Sequence, residues 1–353
     1  MIKIAQILFK NEYVASIFAD ALRILGVSRV VISRRVVKKY LSPSRKSSIE
    51  MLNTIVNNML LGKIRICREE AYGTPIGFYK NILLLYDVKK HTEAEFRLTD
   101  VREECPTEIT GEAISLFLSI YPRTPVVLLD ATLWDLHHEE ERKKAVKQFM
   151  ILINTLRKRL TELNVILVSP PIELVDLIKK MDSIIEINDG SIYTSVDPSK
   201  VVLLDPYAHE ELSVQDVLEN QYFIIGLLVD DKFPRPYATY MLKLLHGIDC
   251  KRRAIKLYKS VIGVPKEINK IIDILLDIRL NGLSLENAII SNMSIDDKIR
   301  KVVHDIRKHA LEGKIVDEQY VRKLCMVYDV NEVQFEKICK RIKRIRRLSV
   351  TAR

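Results

Sequence analysis

Between Tyr222 and Val229 the chain reads YFIIGLLV, an almost unbroken apolar run of strand length, and it ends in two carboxylates, Asp230 and Asp231. A continuous run of this kind, rich in Ile and Val, reads as a strand buried on both faces of a parallel sheet. Open sheets of that class bind ligands outside the carboxyl ends of their strands, so Asp230 is carried to the place where chemistry is usually done. An Asp that only ends a strand or caps the next helix gives the same pattern.

The surrounding sequence supports the parallel sheet. Strands are expected near Val126–Leu129, Val165–Val168 and Val201–Leu204, with helices over Glu139–Leu160, Pro236–Leu245 and Asn269–Leu280. Such alternation implies an α/β sheet covered by helices. No GxGxxG follows the first strand and no P-loop occurs anywhere, which argues against dinucleotides and nucleoside triphosphates, whose phosphates those loops cradle. His137 to Glu141 reads as an acidic helix start rather than a metal site, and no metal-binding spacing is found. Trp134 reads as a core residue.

Several linked stretches resemble the SPOUT-superfamily tRNA methyltransferases that modify N1 of the purine at nucleotide nine. They are Ile225-Gly226-Leu227-Leu228-Val229-Asp230, the upstream Leu203 to Tyr207, the downstream Ile262 to Ile271, and the opening strand and acidic turn Val126 to Leu136. The resemblance spans roughly Val126 to Leu280, and one position departs: Leu227 stands where the family has a second glycine.

The resemblance implies a SPOUT-type parallel sheet with a C-terminal trefoil knot, an exception to the usual absence of knots. It implies S-adenosyl-L-methionine as cofactor, held by Leu204, Gly226, Leu227, Leu228, Val229, Ile255, Gly263, Val264 and Asn269, with Asp230 as the catalytic acid facing the purine. The cofactor carries no phosphate, which agrees with the missing anion cradles. The family pattern also places an acid at Asp130, which on physical grounds reads equally as a helix cap. By the same resemblance the chain acts as a monomer. The expected organisation is an α+β N-terminal domain over residues 1–122, a methyltransferase domain over 123–281, and a helical basic C-terminal domain over 282–353.

Charge agrees with an RNA substrate. Lys and Arg total 56 against 46 Asp and Glu, a net charge of +10. That surplus favours nucleic acid or an anionic membrane as partner. From Arg29 to Ile49 no acidic residue occurs, while Arg34, Arg35, Lys38 and Lys39 are basic, with a turn at Ser42-Pro43-Ser44. After Ser294, which starts one amphipathic helix, a last helix has Phe335, Ile338, Ile342, Ile345 and Leu348 on one side, and Lys340, Arg341, Arg344 and Arg347 among its cations. For the first patch, contact with RNA phosphates and a solvated charged face are equally open; for the last helix RNA phosphates are favoured over a membrane or a partner helix, and a helix docked on the protein with its charges exposed is the plain alternative.

No apolar run reaches the roughly 18 to 20 residues of a membrane span and no signal-peptide pattern opens the chain, so a cytoplasmic protein with no membrane partner is expected. Five scattered cysteines, odd in number and without CxxC spacing, argue for a reducing compartment and against a zinc site or a disulfide framework. The abundance of Ile, Lys, Arg and Glu with few Gln resembles hyperthermophile proteins. Leu61 to Leu98 reads as short strands joined by turns, one at Gly73-Thr74-Pro75.

The expected activity is methylation of N1 of the purine at nucleotide nine of tRNA, adenine before guanine. Adenine N1 already offers a lone pair, whereas guanine N1 must first lose a proton. Methylation of another RNA site, and RNA binding without catalysis, are the rival readings.

Overall fold

The computed structural model describes residues 12–41, 46–88, 91–230 and 234–340. Asp231, the Ser42 to Ser44 turn, and Arg341, Ile342, Arg344, Ile345, Arg347 and Leu348 lie outside the described residues. The chain divides into two compact units, one comprising residues 1–201 and 220–250 and the other residues 202–219 and 251–353.

The first unit opens with α1 (Glu12–Ile24), β1 (Arg29–Ile32), α2 (Arg34–Tyr40), α3 (Ser48–Leu60), β2 (Ile64–Tyr79), β3 (Ile82–Tyr86), β4 (Thr92–Asp100) and α4 (Thr110–Ile120). The four strands close into a barrel in the order β1-β3-β2-β4. Alternation decides what fills it: Val30 and Ile32 pack with Phe18, Leu22, Leu52 and Phe117, whereas Val31 between them turns to the other face with Leu85 and Ala94. Helix α3 starts at a capping box in which Ser47 and Glu50 satisfy each other's backbone N–H groups.

Two expectations fail in this barrel. Gly73-Thr74-Pro75 is not a turn but lies inside β2, which bends at a register shift between Pro75 and Gly77. Glycine is needed at position 73 because a Cβ there would sit 2.7 Å from the Tyr86 carbonyl oxygen of the paired strand. The real turn is Lys80-Asn81, with φ of 45° and 66°, joining β2 to β3. Cys67 and Cys105 form a disulfide, where the scattered cysteines argued against a disulfide framework. Cys67 pairs with Glu108 of the following loop, and the Cα atoms of Cys67 and Cys105 lie 5.5 Å apart, a geometry that sequence spacing does not reveal. Intracellular hyperthermophile proteins retain such bonds, so the bridge itself does not fix the compartment.

The same unit continues with β5 (Val126–Asp130), α5 (Glu139–Arg159), β6 (Val165–Val168), α6 (Ile172–Lys180), β7 (Glu186–Asn188) and the short α7 (Ile192–Ser195). β8 (Val201–Leu204) and α8 (Val214–Glu219) belong almost wholly to the second unit, and β9 (Tyr222–Gly226) and α9 (Ala238–Leu245) return to the first. Here β9, β5, β6 and β7 are parallel neighbours in that order, with Asp130 opposite Gly226 on one side and Val168 on the other. Every residue of β5 and β6 is buried, as continuous apolar runs demand. The strand ending in Asp230 is shorter than expected, because β9 stops at Gly226 and residues 227–230 form a loop.

In the second unit β8 pairs in parallel with β10 (Lys251–Arg253), followed by α10 (Ile268–Asn281), α11 (Leu285–Asn292), α12 (Ile295–Leu311) and α13 (Glu318–Val327). The expected start at Ser294 is a capping box with Asp297. The stripe of Ile299, Val302, Val303 and Ile306 on α12 is buried. No described helix is long and apolar enough to cross a membrane.

Candidate active site

The residues singled out from the sequence fall in both units. Gly226 to Asp230 belong to the first; Leu204, Ile255, Gly263, Val264 and Asn269 belong to the second.

In the first unit, three interactions hold the loop that carries Asp230. Leu227, the departure from the family glycine, donates its N–H to the Asp130 carbonyl at 2.7 Å and is 1% exposed, so its side chain is packed into the protein. Val229 donates its N–H to His137 Nε2 at 2.9 Å. His137 Nδ1 lies 2.9 Å from the Trp134 carbonyl oxygen, so the ring carries its proton on Nδ1 and accepts with Nε2. Burial pushes the His137 pKa down, against the raising effect of the Trp134 carbonyl, which keeps the ring neutral as this arrangement requires. Asp230 itself accepts the Arg235 N–H at 2.7 Å, and the Arg235 guanidinium lies 3.6 Å from its other oxygen. Arg235 is anchored in turn by the buried Glu141 of α5 at 2.9 Å. The Asp230 side chain keeps 27% exposure.

Four residues upstream of the acidic turn, at the end of β5, sits a second carboxylate with the opposite character. Asp130 is 2% exposed. One oxygen accepts from the Tyr193 hydroxyl at 2.7 Å and from His246 Nε2 at 2.9 Å, and the other from the Thr132 N–H at 2.8 Å. The His246 ring lies against Tyr193, centroids 4.2 Å apart. Burial raises the Asp130 pKa, but the bonds from His246, Thr132 and Tyr193 outweigh it and hold the carboxyl below its ordinary value. Burial and the neighbouring Asp130 charge push the Tyr193 hydroxyl far above its ordinary value. Sequence reasoning found Asp130 but neither Tyr193 nor His246. They stand 63 and 116 residues away, and only the parallel topology gathers them.

In the second unit, Leu204 ends β8 with 7% exposure, opposite Arg253 of β10. Ile255, Val264 and Asn269 are half-buried, the last in the first turn of α10. Gly263 is buried with φ of 81°, and a Cβ there would lie 2.8 Å from Lys301 Cβ of α12. Glycine is therefore required by helix packing, whatever else the loop holds. Apart from Asn269, the candidate cofactor residues in both units are apolar side chains or bare backbone, a donor set that suits an adenosyl group without phosphates.

The basic residues on α2 are all exposed, and Arg34, Arg35, Lys38 and Lys39 line a surface recess of about 700 Å³ together with Glu103. Glu103 is occupied by the Ser33 hydroxyl at 2.5 Å and the Asp100 N–H at 2.8 Å. Lys340, the described member of the C-terminal set, is exposed; Arg341, Arg344 and Arg347 are outside the described residues.

Parallel strands with helices between them, two of them followed by acidic residues, define an α/β protein. The fold matches the crystal structure of Sulfolobus acidocaldarius Trm10 in complex with S-adenosylhomocysteine, with a TM-score of 0.66 over 93% of this chain and 98% of that one, at 23% identity. The sequence is 30% identical over 308 residues to the tRNA (adenine(9)-N1)-methyltransferase of the same organism, covering 87% of this chain and 94% of the relative. The chain belongs to that family, the tRNA nucleotide-nine N1-methyltransferases. A second relative, the tRNA (guanine(9)-/adenine(9)-N1)-methyltransferase of Thermococcus kodakarensis, is 30% identical over 196 residues, 54% of this chain and 52% of its own. Residues 143–255 also match a family described as protein arginine N-methyltransferase SFM1-like.

Proposed function

We propose that this chain methylates N1 of the purine at nucleotide nine of tRNA, adenine in preference to guanine, with S-adenosylmethionine as donor. The observation that carries the reading is family membership along nearly the whole relative, with Asp230 held in the loop that follows the matched strand. The residues assigned to the cofactor are those matching the family motifs: Gly226, Leu227, Leu228 and Val229, and separately Leu204, Ile255, Gly263, Val264 and Asn269. The trefoil knot and a monomeric state are part of the same reading.

When bound, the cofactor supplies an electrophilic methyl group, which leaves with the sulfonium sulfur taking the bonding pair. Attack by adenine N1 leaves the ring cationic, and Asp230, oriented by Arg235, stabilises that developing charge. Guanine would require a carboxylate to accept the N1 proton. Asp230 can take that role too, but no second base stands by among the described residues, because Asp130 already receives Tyr193, His246 and Thr132. This favours adenine. The cations of α2 and of the C-terminal segment hold the RNA backbone, giving affinity that falls with salt. The target base lies in the folded core of tRNA and is turned out of its stack to react.

The test uses labelled cofactor and paired transcripts differing only in adenine or guanine at nucleotide nine, with nucleoside analysis of the product. Faster methylation of adenine is expected. Preference for guanine reverses the specificity, and label at another nucleotide sinks the site assignment. Label on protein arginine rather than RNA would favour the family matched over residues 143–255.

A further inference from the structure

The second unit holds a recess of about 670 Å³ that none of the matched motifs explains, floored by α12 and bordered by the Tyr258-Lys259 turn and α13. Its volume lies in the range of small-ligand pockets, roughly 300 to 1,000 Å³. The charges around it do not cancel. Asp305 is taken up by Lys301 Nζ at 3.0 Å, His304 Nδ1 at 3.1 Å and the Tyr328 hydroxyl at 2.5 Å. Glu312 is paired with Lys314 at 2.6 Å. Lys259 and Lys308 are exposed and form no ion pair among the described residues, so they supply the excess positive charge.

The second observation is the backbone beneath Tyr258. Tyr258 and Lys259 have φ of 51° and 61°, two consecutive non-glycine residues in the left-handed region. Leu257 and Ser260 bond to each other's backbone across the pair at 2.7 and 3.2 Å, which makes it a two-residue turn of the kind formed by Lys80-Asn81. Its effect is to hold the Tyr258 ring edge-on against the fully buried Tyr328, centroids 6.2 Å apart, while leaving Tyr258 51% exposed. An aromatic face braced on one side and open on the other, beside two unneutralised lysines, is what an unpaired nucleotide requires: a stacking platform and a phosphate clamp.

We propose that this recess docks an unpaired nucleotide of the RNA substrate, with its base on Tyr258 and its phosphate between Lys259 and Lys308. The inference rests on the reading of the chain as a tRNA methyltransferase and adds a second point of RNA contact. It also bears on the cofactor loop, because Lys301 at the floor of the recess is the residue that Gly263 abuts.

The experiment compares wild type with Tyr258→Ala, Tyr258→Phe and the double variant Lys259→Ala/Lys308→Ala, all in the full chain, with thermal melting as the control for folding. Tyr258→Ala is expected to weaken tRNA binding by about 5- to 150-fold, the range of one lost base stack, while Tyr258→Phe stays within about twofold. The double lysine variant should lower the slope of log affinity against log salt by about 0.7, one single-strand phosphate. Single-turnover rates at saturating tRNA should be unchanged in all three. Unchanged affinity in Tyr258→Ala and an unchanged salt slope in the lysine variant overturn the proposal; the lysines are exposed, so that arm holds even where Tyr258→Ala fails to fold. Binding of adenosine monophosphate to wild type, with tRNA affinity unaltered in every variant, would make this a mononucleotide site and overturn it too. A wild-type protein that neither binds nor methylates tRNA defeats the functional reading itself, a different result from any of these.

Discussion

Two aspartates follow neighbouring strands of one parallel sheet, Asp130 as the last residue of β5 and Asp230 four residues beyond the end of β9, and their surroundings are opposite. Asp130 is sealed in, with donors from a tyrosine, a histidine and a backbone N–H filling its oxygens. Asp230 stands in a loop, held by one arginine and still partly open to solvent. A carboxylate whose acceptor capacity is saturated by the protein contributes to stability; one with capacity left over is available to a substrate. The two differ in place as well as in partners: Asp130 is paired within the sheet, whereas Asp230 lies in the loop after β9.

The largest effect that tests this contrast is on rate. Asp230→Asn is expected to lower single-turnover methylation by on the order of 10² to 10³, the usual worth of one positioned carboxylate, with cofactor and tRNA affinity within a few fold. An unchanged rate would remove Asp230 from the chemistry. Next comes stability. Asp130→Asn leaves a buried cluster with one of its acceptors replaced by a donor, and a loss of about 2 to 3 kcal/mol is expected in denaturant unfolding. The pH dependence has a definite sign. A carboxyl held below its unfolded value, about 3.9, gives stability that is present above that pH and is lost as pH falls through the folded value. Wild type should therefore lose stability below about pH 4 more steeply than Asp130→Asn. Equal acid sensitivity in the two proteins would show that the cluster is not what Asp130 contributes.

The strand ends could be read from sequence because continuous apolar runs have few other uses. Val165–Val168 and Val201–Leu204 fall where expected, and β5 extends Val126–Leu129 by the one residue that matters, Asp130. What could not be read was partnership. Tyr193 and His246 carry no pattern of their own, and Arg235 follows Asp230 by five residues with nothing to mark it as its clamp. Gly73-Thr74-Pro75 misled for a related reason: turn-forming residues also serve a bent strand, and only the approach of Tyr86 shows which. The Cys67–Cys105 bridge likewise depends on strand register, which a count of cysteines ignores.

His137 sharpens the comparison, because it acts on Asp230 only through the backbone. With Nε2 accepting from Val229, it fixes the residue immediately before the acid. His137→Ala should lower the turnover rate about tenfold, roughly 1.4 kcal/mol of misplacement, with KM for tRNA little changed. The ring's pKa is lowered by burial, so its neutral form is favoured in the fold; stability is present above the unfolded value near 6.5 and declines as pH falls from there towards the folded value. The acid limb of the wild-type pH–rate profile should flatten in His137→Ala. Loss of rate without any change in that limb would mean that the residue only packs beside Trp134.

The smallest effect extends the contrast from anions to cations. On α2, Arg34 is engaged by the Asp87 carbonyl at 2.8 Å and Lys39 by Asp100 at 3.2 Å, whereas Arg35 and Lys38 have no ion pair among the described residues. If spare capacity marks function here as proposed for Asp230, the open pair contacts RNA and the engaged pair chiefly shapes the recess. Arg35→Ala and Lys38→Ala should each reduce the slope of log tRNA affinity against log salt by about 0.7 to 0.9, one phosphate apiece, with no change in rate at saturating tRNA. Arg34→Ala should alter the slope less, and its effect should appear instead as a small loss of stability. Equal slopes for all the single variants would show that partnership within the protein does not sort these cations, and that the rule drawn from the two aspartates stops at the sheet.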